Sequence, residues 1–188
     1  VNTVTPLTPA TPPTPLSPPA RATPDAARAA AEAVRDPELP MLTLADLGVL
    51  RDVRLEDDGS VTAVLTPTYS GCPALAEMRA DLDAALRSVG FATVHVRTEL
   101  SPPWSTDDIT AEGRRKLAEA GIAPPGRAPR RSTGPIPVTL TVRPDSAVRC
   151  PQCGSPDTEE TSRFGATACK ALRRCRACRE PFEQVKEI

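Results

Sequence analysis

The sequence predicts an α+β protein: a small mixed β-sheet domain with helices on one face, followed by a C-terminal zinc-ribbon-like β module. Three observations carry this. Two alternating runs, 49–55 and 61–66, flank the turn signal Asp57-Asp58-Gly59-Ser60. Leu75, Met78, Leu82, Leu86 and Val89 recur at spacings of three and four, the apolar stripe of a helix. Cys150-Pro-Gln-Cys153 and Cys175-Arg-Ala-Cys178 stand 21 residues apart near the C-terminus. Two such knuckles offer four thiolates to one tetrahedral ion.

The first 22 residues, VNTVTPLTPATPPTPLSPPARA, hold no aromatic residue and no charged side chain before Arg21. Such a segment buries too little apolar surface to offset its ordering entropy, so it reads as a disordered or polyproline-like tail. It lacks the basic start and continuous apolar stretch of a secretory signal. No run approaches the ~20 apolar residues of a membrane span.

The first folded element begins at Thr23. Thr23 is the expected N-cap, Pro24 suits the first helical position, and Asp25 faces the helix dipole. This helix must stop before Pro37. The two prolines of Asp36-Pro37-Glu38-Leu39-Pro40 hold the next stretch non-helical. After the hairpin, Thr66–Pro73 forms a loop into the amphipathic helix, which Gly90 ends. Residues 91–100 read as a third strand, and a short helix near 107–120 stops at Gly121. The domain therefore spans 23–122, a Pro/Gly/Arg linker covers 123–137, and the ribbon covers 138–188, opening with a strand at 138–142.

Net charge is −1 and aromatic content is 3%, so aliphatic side chains must build the core. The overall charge gives no footprint for nucleic acid, although Arg173, Arg174, Arg176 and Arg179 make the tail locally basic. Six cysteines in Cys-x-x-Cys spacing without an export signal predict a cytoplasmic protein that binds metal rather than forming disulfides.

The chemistry concentrates in the thiols. Cys150, Cys153, Cys175 and Cys178 are the expected metal ligands. A tetrahedral sulfur site holds zinc or iron, and a closed structural site with no open position favours zinc. Cys169, six residues before Cys175, is a fifth thiol. It is open to three readings: an extra ligand, a group beside the ligands, or a plain buried residue, with Lys170 able to lower its pKa if both are exposed. Cys72 sits at or next to the start of the amphipathic helix, where unpaired amides and the dipole favour a thiolate; an inert cap cysteine is the competing reading. Asp36 and Glu38 flank Pro37, and as chemistry alone they read as a solvated or capping pair. His95, the single histidine, has no local ligand partner and reads as structural. Ser/His/Asp arrangements, phosphate loops and HExxH are absent, which leaves acid–base enzymology little to work with.

VRDPELPMLTLADLGVL, the hairpin and TPTYSGCPALAEMRADLDAAL fall in the order of the iron–sulfur assembly domain family, which residues 34–90 resemble. In that family the cysteine before the proline is regarded as reactive and lies near the aspartate of Asp-Pro-Glu. The resemblance therefore assigns cofactor binding to Cys72 and Asp36, with Glu38 nearby. Adding Leu-Ser-Pro-Pro-Trp (100–104), Gly-Ile-Ala-Pro-Pro (121–125) and FGATACKALRRCRACREPFEQVK (164–186), the chain looks like the PaaD/PaaJ family of the phenylacetyl-CoA epoxidase over residues 25–186. That resemblance implies an accessory role in aerobic phenylacetate catabolism. The implied partners are the di-iron hydroxylase and the flavin/iron–sulfur reductase, and the implied cofactors are structural zinc and a transient iron or iron–sulfur cluster. The sequence carries neither Glu-x-x-His helices nor a flavin or NAD fingerprint, so it is not expected to perform the oxygenation itself. The competing classes are a purely structural oxygenase component, a ribbon-based nucleic-acid module and a Cys-x-x-Cys redox enzyme.

Overall fold

The computed structural model describes residues 22–128 and 148–187. The expected tail, except for Ala22, and the strand expected at 138–142 lie outside the described residues.

Helix α1 (Pro24–Glu32) starts as its sequence dictates: the Thr23 hydroxyl accepts from the Ala26 amide at 3.1 Å, with Pro24 in the first turn. It buries Ala27 and Ala31. Strands β1 (Leu50–Leu55) and β2 (Val61–Leu65) pair antiparallel across the predicted turn. Gly59 there takes φ +80, a backbone state that costs glycine nothing. Helix α2 (Leu75–Ser88) then crosses back, so β3 (Val94–Thr98) pairs parallel with β2. A short 3₁₀ turn at Thr106–Asp108 precedes helix α3 (Ala111–Glu119). The ribbon is an antiparallel sheet of β4 (Thr158–Ser162), β5 (Lys170–Cys175) and β6 (Pro181–Val185), in that order.

The apolar stripe of α2 faces inward as predicted: Met78, Leu82 and Leu86 are buried. They join Leu42, Leu44, Val49, Val61, Ala63 and Leu65 in the main core. Burying each leucine contributes about 1.5–3 kcal/mol. All five residues of β2 are buried, including Thr62 and Val64 on the face where Arg54, Asp52, His95 and Arg97 are their cross-strand neighbours. The third strand is shorter than the expected 91–100, because Phe91 turns into the core ahead of it.

The Asp46-Leu47-Gly48 turn locks 104–116 onto this domain. Asp46 accepts from the Thr43 amide at 2.9 Å and from Lys116 Nζ at 2.7 Å. Leu47 C=O accepts from the Trp104 indole at 2.8 Å. Gly48 has φ +67, and a Cβ there would sit 2.4 Å from Asp108 O. Only glycine fits both demands.

The expected linker begins inside structure. The Ala123 amide donates to Glu183 O at 2.8 Å and Ala123 O accepts from Val185 at 3.1 Å, so the chain leaving α3 adds to the edge of β6. The two modules also share apolar packing. Val185 is 4% exposed and belongs to the main core, whereas the ribbon's own cluster is only Ala123, Val148, Cys150, Cys175 and Phe182. Five small contributors cannot hold three strands, which leaves the stability to come from the sulfurs and from the neighbouring domain.

Candidate metal and thiol sites

The first site forms where the two knuckles meet. Cys150 Sγ lies 3.7 Å from Cys178 Sγ, and Cys153 Sγ lies 3.6 Å from Cys175 Sγ. All four donors fall within 4.8 Å of one another. A tetrahedron with zinc–sulfur bonds of ~2.3 Å places its sulfurs about 3.8 Å apart, so the spacing fits the ion. The knuckles are built alike. Each is followed by a left-handed residue, Gly154 at φ 72 and Arg179 at φ 66. The Gly154 amide returns to Cys150 O at 2.9 Å. The Cys178 amide points at Cys175 Sγ at 3.5 Å, and this bond chiefly pulls the Cys175 thiol down to about 7. Cys178, although the Glu180 amide favours its thiolate, is pushed up to about 12 by desolvation and its sulfur neighbours. Four crowded thiols cannot all ionise without a cation, and a dication resolves the conflict.

Cys169 does not join this site. It precedes β5 while Cys175 ends it, and six strand steps of ~3.3 Å separate them by about 20 Å. The reading as an extra ribbon ligand is therefore corrected by strand geometry. Its carbonyl accepts from the Lys186 amide at 2.9 Å and its thiol lies 3.1 Å from Thr167 Oγ1.

The second site gathers around Cys72. This residue is not the helix N-cap: α2 begins at Leu75 with Ala74 as cap, so Cys72 stands three residues before the first helical turn. It packs against the main core and is half-buried. Desolvation raises its pKa above the ordinary thiol value, despite the Ala74 amide, and the charges of Glu38, Asp36 and Cys169 raise it further. The expected low-pKa thiolate is thus replaced by a resting thiol. Asp36 is also not solvated. It is 5% exposed, and its Oδ1 accepts from the Glu38 and Leu39 amides at 2.9 and 2.8 Å. Burial raises its carboxyl above 3.8, against those amides and the charge of Lys170. Glu38 is raised by burial and then by Asp36. The fold does bring Asp36, Glu38 and Cys72 together, as the family resemblance implied. His95 is exposed on β3, away from both clusters of thiols.

Sequence reasoning does not place Lys170 in this constellation. It is 5% exposed, donates to Glu183 at 2.8 Å, and its charge acts on both Asp36 and Glu38. Its proximity to Cys169 is visible in the sequence; its facing the other module is not. It does favour the Cys169 thiolate, but burial dominates and that thiol is raised.

Comparison with known proteins agrees with both sites. Residues 134–186 match the PaaD zinc beta ribbon domain and residues 24–96 match the iron–sulfur cluster assembly protein family. The chain is 43% identical over 156 residues to the PaaD-type component of the putative 1,2-phenylacetyl-CoA epoxidase of Escherichia coli, covering 82% of this chain and 87% of that one. The chain belongs to the PaaD family. Its four-cysteine site is the zinc site of the family's ribbon. PaaD members thus join an assembly-type domain to a ribbon, and the first part has relatives without one. An Fe-S protein maturation auxiliary factor of Porphyromonas gingivalis is 33% identical over 85 residues, covering 45% of this chain and 80% of that one. The DUF59 domain structure from Bacillus anthracis is 26% identical, covers 50% of this chain and 90% of that one, and gives a TM-score of 0.46. Among the described residues no helix is long and apolar enough to cross a membrane.

Proposed function

We propose that this chain is an accessory component of a phenylacetyl-CoA epoxidase that assists iron or iron–sulfur centre assembly in its hydroxylase or reductase partner. One observation carries the reading. The two thiol environments differ in kind: four sulfurs closed around one point, and a half-buried thiol beside two carboxylates on a domain of the iron–sulfur cluster assembly family. A closed site keeps its ion, whereas a site with few protein ligands can pass one on.

Cys72 takes the role of the transient sulfur ligand and Asp36 that of a neighbouring oxygen ligand or proton acceptor. Iron is the cargo. As the sulfur–iron bond forms, the thiol proton must leave. Asp36 and Glu38, both raised by burial, hold a proton better than carboxylates in water do. The zinc ribbon fixes the C-terminal strands and orients the chain on its partner.

The test is co-expression of the epoxidase components with the parent chain or with Cys72→Ser, followed by measurement of iron per partner. Partner iron should fall several-fold in Cys72→Ser while the chain stays folded and zinc-bound. Unchanged partner iron would instead favour a purely structural role.

A further inference from the structure

The antiparallel register of β5 and β6 sets Lys170 opposite Val185 and Cys169 next to Lys186. Val185 is buried in the core against which Cys72 packs. Residues opposite one another in a ladder share a face. Lys170 therefore also faces the assembly domain, which accounts for its 6% side-chain exposure. Cys169 is the residue before it, at the mouth of the same junction. Electrostatics agree with this placement. Cys169 and Cys72 act on one another, Glu38 acts on both, and Tyr69 feels Cys72, Glu38 and Cys169 together.

We propose that Cys72 of the assembly domain and Cys169 of the ribbon together form a two-thiol site for a thiophilic divalent cation, with Glu38 and Asp36 as the flanking oxygen donors. This rests on the reading of Cys72 as a transient iron ligand and extends it by naming the second sulfur. Binding replaces two S–H bonds by two sulfur–metal bonds and releases two protons, to the adjoining carboxylates or to water. Among the described residues only the ribbon cysteines gather three or more donors within 4.8 Å. The junction site is accordingly open, and closes on its ion from two sides. Two thiolates bind a borderline-soft ion well enough to capture it, while the lack of a full tetrahedral set leaves room for an acceptor's ligands. The ribbon thereby gains a second role, delivering a sulfur to a domain that in its shorter relatives stands alone.

Lys170 has a defined part here. Paired with Glu183, it supplies a buried positive charge beside two carboxylates and two thiols. It limits the negative charge that builds up when the thiols ionise.

The zinc-loaded full chain is titrated anaerobically with Co²⁺, which does not displace zinc readily because zinc binds the same donors more tightly. Cobalt–thiolate charge-transfer absorbance then reports the open site alone. The parent should bind one Co²⁺ with an intensity matching two thiolates. Cys72→Ser and Cys169→Ser should each halve that intensity and weaken binding by at least ~10-fold, since even losing an outer partner of a ligand costs about 10–100-fold. Zinc content and the circular dichroism melt serve as the folding control for both variants. A loss in Cys72→Ser with Cys169→Ser unchanged overturns the two-thiol site and leaves the Cys72 reading standing. No cobalt–thiolate band in the parent, or a band untouched by either variant, overturns both.

Discussion

Asp36 shows how burial turns a surface-like motif into a strained group. Its carboxyl is raised above 3.8 because desolvation outweighs two amide bonds. The folded chain thus holds this proton more tightly than the unfolded chain. Stability is greatest below 3.8 and declines as pH rises through the folded value, after which the penalty is constant. Asp36→Asn keeps an oxygen for the Glu38 and Leu39 amides but cannot ionise. The variant should therefore be more stable than the parent at neutral pH, with the difference closing in acid. Urea midpoints across pH check this; a pH-independent difference would contradict it. Arg179 makes a second residue-scale case. It holds φ 66 at the knuckle where its counterpart is Gly154. A left-handed non-glycine residue costs about 1–2 kcal/mol, offset by glycine's extra chain entropy of about 0.5–1 kcal/mol. Arg179→Gly should stabilise the zinc-bound ribbon by about 0.5–1 kcal/mol, read as tighter zinc retention against a chelator.

At the scale of elements, the turn at Asp46 and helix α3 are joined by one ion pair. Desolvation opposes ionisation of Asp46, but the Lys116 ammonium and the Thr43 amide hold its carboxyl below 3.8. A lowered value contributes stability that is complete above 3.8 and lost as pH falls through the folded value. Lys116→Ala should cost about 1 kcal/mol at neutral pH, because the lysine is partly exposed, and nothing once Asp46 is protonated. Elements like these are largely legible in the sequence. Thr23-Pro24 marks the start of α1, the stripe from Leu75 to Leu86 marks the buried face of α2, and Asp57–Ser60 marks the hairpin. What periodicity does not disclose is the cap of α2. A proline at position 73 is favourable inside the first turn, yet the Tyr69–Cys72 turn, closed by a 3.2 Å backbone bond, delays the helix to Leu75. That delay removes Cys72 from the dipole and reverses the direction of its pKa.

On the scale of the whole molecule, the zinc knuckles are legible because their spacing is local. The Cys72 constellation is legible only through family resemblance, because Asp36, Cys72 and Cys169 are joined by tertiary packing that no local pattern encodes. The linker expected from 123 conceals the edge pairing of Ala123 with β6, which ties the modules together. Val185 is the apolar part of that tie. Val185→Ala should cost about 2 kcal/mol and weaken the coupling of the modules. Calorimetry of the zinc-bound parent should show one transition. Zinc removal should split it, because the ribbon's small core does not fold without its ion, and should lower the melting temperature of the assembly domain as Val185 leaves.

The chain divides its chemistry between a closed zinc site and an open thiol site. Metal content decides this, measured by elemental analysis with visible absorbance on anaerobically purified parent, Cys72→Ser and Cys150→Ser chains. The parent and Cys72→Ser should each hold about one zinc per chain, as a single four-sulfur site requires, and Cys150→Ser should lose it. Zinc lost in Cys72→Ser, or iron with sulfide charge-transfer bands that disappears in Cys150→Ser, would refute the division.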